Sequence, residues 1–181
     1  FRGSTDVALT EKGWQQMQQS LTEAESWDRI VSSTLIRCSA FSTELAKEKS
    51  LELTLFDEFQ EIHFGDWEGQ LRETVQHEQG ELLRAFWSDP VAATPPNGES
   101  MVAFHQRVTN CLNKVVEQHA GEHMLLVTHG AVIRTLMCEL LNMPLTSLAS
   151  ISVPYACLTR FKIYHFKKNK PWVQLCFHRG D

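Results

Sequence analysis

Met124-Leu125-Leu126-Val127-Thr128-His129-Gly130-Ala131-Val132-Ile133-Arg134 decides the fold of this 181-residue chain. Met124 to Thr128 carries no charge and reads as a strand buried on both faces. Gly130 turns the backbone, and Ala131 to Leu141 is apolar almost all round, as a buried helix is. His129 therefore stands where a core strand ends and a core helix begins. Backbone amides and the positive end of the helix dipole favour an anion at such a place. The plainer reading makes His129 a capping residue satisfied by local backbone.

The same alternation continues outward in both directions. Thr10 is placed to cap a first helix, with Leu9 and Trp14 as a hydrophobic staple and Trp14, Met17, Leu21 and Ala24 as its buried stripe. Asp28 to Ser33 reads as a strand, Leu35 to Lys49 as a helix, and Leu51 to Phe56 as a second strand. A helix from Leu71 to Trp87 has Gly80 as its weak point, and Ser100 caps another from Met101 to His119. Cys157–Tyr164 and Trp172–Phe177 form a closing hairpin, its turn in the basic run His165 to Lys170. The expected class is α/β, a three-layer α/β/α sandwich on a mostly parallel sheet, in one domain over 1–181.

Composition narrows the function. Hydrophobic residues make up 43% of the chain, enough for a sizeable core, and a net charge of −5 gives no basic face for nucleic acid. Five scattered cysteines, never in C-x-x-C, suit reduced thiols in a cytoplasmic protein. His119 and His123 lie four apart, but Ala120-Gly121 interrupts the helix between them, and no metal signature accompanies them. In a parallel sheet, ligands bind beyond the carboxyl ends of the strands. Arg37, Glu61 and His129 fall at three such ends and can converge on one point. Taken singly, Arg37 reads as an ordinary surface residue and Glu61 as a solvated loop carboxylate.

The motifs occur in a definite order. They are Ser32-Ser33-Thr34-Leu35-Ile36-Arg37, Glu61-Ile62-His63-Phe64-Gly65-Asp66-Trp67-Glu68-Gly69, Gly98-Glu99-Ser100 with Phe104 and Arg107-Val108, and Val127-Thr128-His129-Gly130. Together they resemble the histidine phosphatase superfamily, also called phosphoglycerate mutase-like. Asp6 to Gly13 matches that family's D-x-P-L-T-x-x-G, with Ala8 in place of proline. The resemblance implies that Arg37 binds the phosphoryl oxygens and that His129 hydrogen-bonds the same group. It makes Glu61 the general acid and then the base, served by a raised pKa. Gly3, Ser4 and the Gly130 amide become substrate-binding groups, while His63 and Trp67 shape the wall and Glu99 and Ser100 organise the loop and helix start. The implied partner is a small phosphorylated metabolite, with no nucleic acid or membrane, in a monomer or homodimer, and without metal or cofactor.

Departures from the family pattern are informative. Ala40 and Phe41 stand where many members have glutamine and threonine. The family's R-H-G, whose histidine is the nucleophile, does not occur, and none of the eight histidines fits it. Phe1-Arg2-Gly3-Ser4 resembles the loop that follows that motif. The expectation is a natural polypeptide with a further N-terminal strand and R-H-G, because a sheet without that strand has two unpaired edges. A short cover between Glu61 and Gly98 favours hydrolysis over transfer. Among compact members the chain is similar to alpha-ribazole phosphatases of cobalamin synthesis. The alternatives are a phosphoglycerate mutase, a fructose-2,6-bisphosphatase-like phosphatase, or a binding module without turnover.

Overall fold

Side-chain direction along the central strands sets the layers. In the computed structural model, which describes residues 1–21, 26–166 and 169–180, strand β1 (Arg29–Ser33) follows helix α1 (Glu11–Ser20) and precedes helix α2 (Ile36–Lys49). Ile30 and Val31 are both buried, yet they serve different cores. Ile30 joins Trp27, Phe41, Leu45, Leu125 and Val127 on the face covered by α1 and α2. Val31 joins Phe104, Val108, Val132 and Leu136 on the opposite face. Successive strand residues point to opposite sides, so helices on both sides are required to keep them dry. The chain has the expected three-layer α/β/α architecture on a parallel sheet.

Strand β2 (Glu52–Phe56) pairs in parallel with β1, Val31 opposite Thr54. Helices α3 (Arg72–Ser88) and α4 (Met101–Gln118) then lead to strand β3 (Met124–Val127), parallel to β1 on its other side with Val31 opposite Leu126. The strand order is β2-β1-β3. Helix α5 (Gly130–Leu140) follows directly, and strands β4 (Leu158–Phe166) and β5 (Asn169–Arg179) form a separate antiparallel pair. Parallel β1 and β2 need the crossover that α2 supplies, whereas β4 and β5 need only a turn.

Local signals operate as expected at several helix ends. The Thr10 hydroxyl accepts from the Gly13 amide at 3.1 Å and the Ser100 hydroxyl from the Ala103 amide at 3.2 Å. Helix α3 leaves helical geometry at Gln79, beside Gly80. Phe41, at a departure from the family pattern, is buried and stacks against Trp14 with ring centroids 5.6 Å apart. Ala24 of the first helix's stripe, and Lys167 and Lys168 of the hairpin turn, lie outside the described residues.

One gap remains among the described strands. The edge of β3 away from β1 and the edge of β4 away from β5 have no strand partner, and a cavity of about 500 Å³ separates them. Met124, Leu126, Leu158, Phe161, Val115 and Leu136 line it, giving two open backbone edges and an apolar wall. β3 ends beside His129. β4 begins at Leu158.

Candidate active site

The end of β1 and the end of β3 are neighbours, so Ser33 and His129 meet although they are 96 positions apart. The His129 ring is 7% exposed. Its Nδ1 lies 3.2 Å from Arg37 Nε, an atom that can only donate, so Nδ1 is the acceptor. The proton is then on Nε2, which donates to Ser33 Oγ at 2.8 Å. Burial, reinforced by the charges of Arg37 and Arg107, pulls His129 down to about 3 and keeps the imidazole neutral. His129 is the N-cap residue of α5, but its side chain makes no cap hydrogen bond; its ring is satisfied by Arg37 and Ser33 and not by local backbone. The buried Cys38 thiol, pushed up to about 12 mainly by burial, lies 3.7 Å from both ring nitrogens.

Arg37 is in the first turn of α2. Its Nη1 donates to Thr5 O at 2.8 Å and its Nη2 to Gly3 O at 2.6 Å. A guanidinium has five N–H donors in a rigid plane. With three of them on Thr5, Gly3 and His129, one N–H on each Nη is left for an anion. Ser33 Oγ accepts from His129 and from the Leu35 amide at 3.2 Å, and keeps its own proton.

Glu61 follows the short 3-10 turn Asp57–Phe59 after β2 and is 9% exposed. Its Oε1 accepts from the Ile62 amide at 3.0 Å and its Oε2 from the Ala131 amide at 3.0 Å. The anion-favouring start of α5 thus faces this carboxylate. Burial nevertheless outweighs both amides and the charges of Arg37 and Arg134, so its pKa is raised. Gly130 stands between His129 and the Ala131 amide, and a Cβ there would be 4.0 Å from Glu61 Oε2.

Gly3 and Ser4 reach the site differently from expectation. Their amides donate to Glu68 at 3.1 and 3.0 Å, joined by the Thr5 amide at 3.2 Å, the Phe64 amide at 2.9 Å and the Thr5 hydroxyl. What Gly3 offers Arg37 is its carbonyl. A Cβ on Gly3 would lie 2.0 Å from Ile62 O and 2.3 Å from Glu68 Oε1, so only glycine fits this approach. Glu68 is a residue that sequence reasoning did not single out, and so are Ser33 and Arg107. Each was quoted within a motif, but its partners lie far off in the chain.

Beside Glu61 opens a cavity of about 390 Å³ lined by Ser4, Asp57, Glu58, Gln60, His63 and Glu99 together with Glu61 and Arg107. Arg37, Ser33, His129 and Glu61 thus bring two free guanidinium donors, a hydroxyl, a neutral imidazole and a buried carboxyl of raised pKa to the carboxyl ends of parallel strands. Such a set can bind a phosphoryl group and protonate an oxygen leaving it.

Known proteins are similar to this chain in sequence and in fold. The sequence pattern of the histidine phosphatase superfamily (branch 1) matches residues 1–175. An adenosylcobalamin/alpha-ribazole phosphatase of Salmonella typhimurium is 29% identical over 165 residues, covering 90% of this chain and 82% of that protein. Phosphoserine phosphatase 1 of Hydrogenobacter thermophilus is 29% identical over 173 residues, covering 94% and 80%. The crystal structure of the alpha-ribazole phosphatase from Shigella flexneri superimposes with a TM-score of 0.80 at 26% identity, over 97% of this chain and 86% of that one. The chain belongs to the histidine phosphatase superfamily and is a phosphatase of that superfamily.

Proposed function

We propose that this phosphatase hydrolyses a phosphomonoester through a phosphohistidine, and that its substrate is alpha-ribazole 5′-phosphate. The observation that carries the chemistry is Arg37 with two unused N–H groups beside neutral His129 and buried Glu61. In the first step an imidazole attacks phosphorus while Arg37 and Ser33 hold the equatorial oxygens. The P–O bond to the alcohol breaks, and the carboxyl of Glu61 gives its proton to the departing oxygen. In the second step the Glu61 carboxylate takes a proton from water, which attacks phosphorus and frees both phosphate and the imidazole.

On this reading the nucleophilic imidazole arrives on a strand N-terminal to Phe1 that fills the gap between β3 and β4. An inserted strand parallel to β3 delivers its last residue beside His129. Phe1 to Thr5 are held beside the site by Gln70 O, Glu68 and Arg37.

Support for a riboside ester comes from the relatives named above and from the lining of the smaller cavity. All five N–H donors of its one guanidinium, Arg107, are engaged within the protein. A second anion, such as the carboxylate of phosphoglycerate, meets Asp57 and Glu58 there without a free cation among the described lining residues. An uncharged alcohol avoids that penalty. Reduced cysteines suit a cytoplasmic site of action, all five being free of disulfides.

The test compares phosphate release from alpha-ribazole 5′-phosphate, O-phosphoserine, 3-phosphoglycerate and fructose 2,6-bisphosphate. The expected result is the highest kcat/KM for the riboside ester, abolished by His129→Ala. Isomerisation of phosphoglycerate without release of phosphate would overturn the hydrolase reading. A preference for phosphoserine would overturn the substrate.

A further inference from the structure

Arg107 projects from α4 onto the segment that carries Glu61, and every one of its donors is accounted for. Nε and Nη2 grip the Glu99 carboxylate at 2.7 and 2.9 Å. Nη1 donates to the carbonyls of Glu58 at 2.7 Å and Gln60 at 2.9 Å, and Nη2 to that of Glu61 at 3.1 Å. The remaining carbonyl in this run, Phe59 O, accepts from the Thr128 hydroxyl at 2.9 Å. Thr128 is the residue before His129. On the far side of Glu61, the Glu99 amide donates to His63 O at 2.8 Å, and the His63 amide donates to Glu99 Oε2 at 3.4 Å.

Gln60 to Phe64 belongs to no helix or strand, so no ladder fixes the backbone around Glu61. A carbonyl drawn out of water needs a partner, and here one planar fork supplies three: the exposed Glu58 carbonyl and the half-buried ones of Gln60 and Glu61. The Arg107 and Glu99 side chains are 25% and 18% exposed, and the guanidinium also lies 4.7 Å from the Phe104 ring centroid.

Resting on the hydrolase reading above, we propose that Arg107, gripped by Glu99, is a positioning residue for the acid–base step, fixing the Glu58–His63 backbone so that the Glu61 carboxyl meets the leaving oxygen. It has no donor left for substrate. Its effect therefore scales with how much the leaving group needs a proton.

The experiment uses Arg107→Lys, which keeps the charge and loses the fork, and Glu99→Gln as a milder second variant. Val108→Ala serves as a control, removing a fully buried apolar side chain from the same helix. Two readouts are taken: kcat and KM for an alkyl phosphate and for p-nitrophenyl phosphate, and the carboxyl titration of Glu61 by carbon-13 NMR. Arg107→Lys is expected to lower kcat roughly 100-fold for the alkyl ester and less than about 3-fold for the nitrophenyl ester, with KM little changed. The Glu61 midpoint falls toward the ordinary carboxylate range as its backbone loosens and water enters. Val108→Ala lowers Tm and moves neither readout. Equal loss on both esters, or a Glu61 midpoint unmoved in a folded variant, would overturn the positioning role. If Arg107→Lys does not fold, Glu99→Gln decides by the same criteria. If the parent protein releases phosphate from neither ester, the hydrolase reading fails by itself, and the Glu61 titration alone still decides the role of Arg107.

Discussion

Two carboxylates seven positions apart in one loop region, Glu61 and Glu68, experience opposite electrostatics. Both accept backbone amides. Glu61 is 9% exposed and has two amide donors, so burial prevails and its pKa is raised. Burial pushes Glu68 up as well, but the Thr5 hydroxyl and the amides of Phe64, Thr5 and Gly3 outweigh it and hold its pKa below the ordinary range. The number of donors set against the loss of water decides which way each carboxyl's pKa moves. One becomes an acid suited to chemistry. The other becomes a fixed anion around which the first residues of the chain wrap.

The strongest way to break this contrast is Glu61→Gln, which keeps the shape and removes the transferable proton. Turnover of esters with poor leaving groups is expected to fall about 10³-fold. Affinity for vanadate should change less than about 3-fold, because Arg37 and Ser33 hold the anion. Steady-state kinetics and vanadate inhibition check both; a parallel loss of affinity would mean that Glu61 belongs with the binding groups. The same variant carries a pH signature. A raised pKa in the folded state means that Glu61 contributes stability below the unfolded carboxylate pKa, lost as pH rises through its folded value. Glu61→Gln should therefore remove part of the decline in urea midpoint above the ordinary carboxylate range.

Next in size is Gly3→Ala. A Cβ on Gly3 would meet the Ile62 carbonyl oxygen and Glu68 Oε1. A methyl group cannot fit against a backbone oxygen, and the loop must move. The expected cost is about 3 kcal/mol in urea unfolding, together with weaker vanadate binding as Arg37 loses the Gly3 carbonyl. A loss below about 1 kcal/mol would show that the loop is not pinned there.

Much of this organisation is legible along the chain because its causes are local. Thr10 and Ser100 announce their helices by side-chain chemistry, and the apolar run before His129 announces its strand. The position of Arg37, Glu61 and His129 follows from a general property of parallel sheets, that strand ends on one side converge. What fails is anything decided by a long-range partner. His129 reads locally as a cap; only the pairing of β1 with β3 brings Ser33 to its ring. Glu68 lies 65 positions from Gly3, and Arg107 lies 46 from Glu61, and no periodicity records either contact. The Gly3 and Ser4 amides likewise donate to Glu68, a partner more than sixty positions away. A carboxylate in a turn-rich run can neutralise them first.

The smallest effect expected is that of Glu68→Gln, and it separates the two carboxylates most cleanly. Glutamine has one acceptor oxygen and turns an NH₂ group toward amides that are themselves donors. At neutral pH this should cost about 2 kcal/mol of stability, the usual range for a donor left without its partner. Turnover should suffer less than with Glu61→Gln, since Glu68 reaches Arg37 only through the Gly3 and Thr5 carbonyls. The sign of the pH dependence is the reverse of that for Glu61. A carboxylate held below its ordinary pKa contributes stability that is full above the unfolded value, about 4.3, and is lost as pH falls through the folded one. The parent protein should thus lose its advantage over Glu68→Gln as urea midpoints are followed from pH 7 down through that window. An advantage that persists unchanged at the acid end would mean that Glu68 acts by shape alone, and the contrast between a held proton and a held charge would not survive.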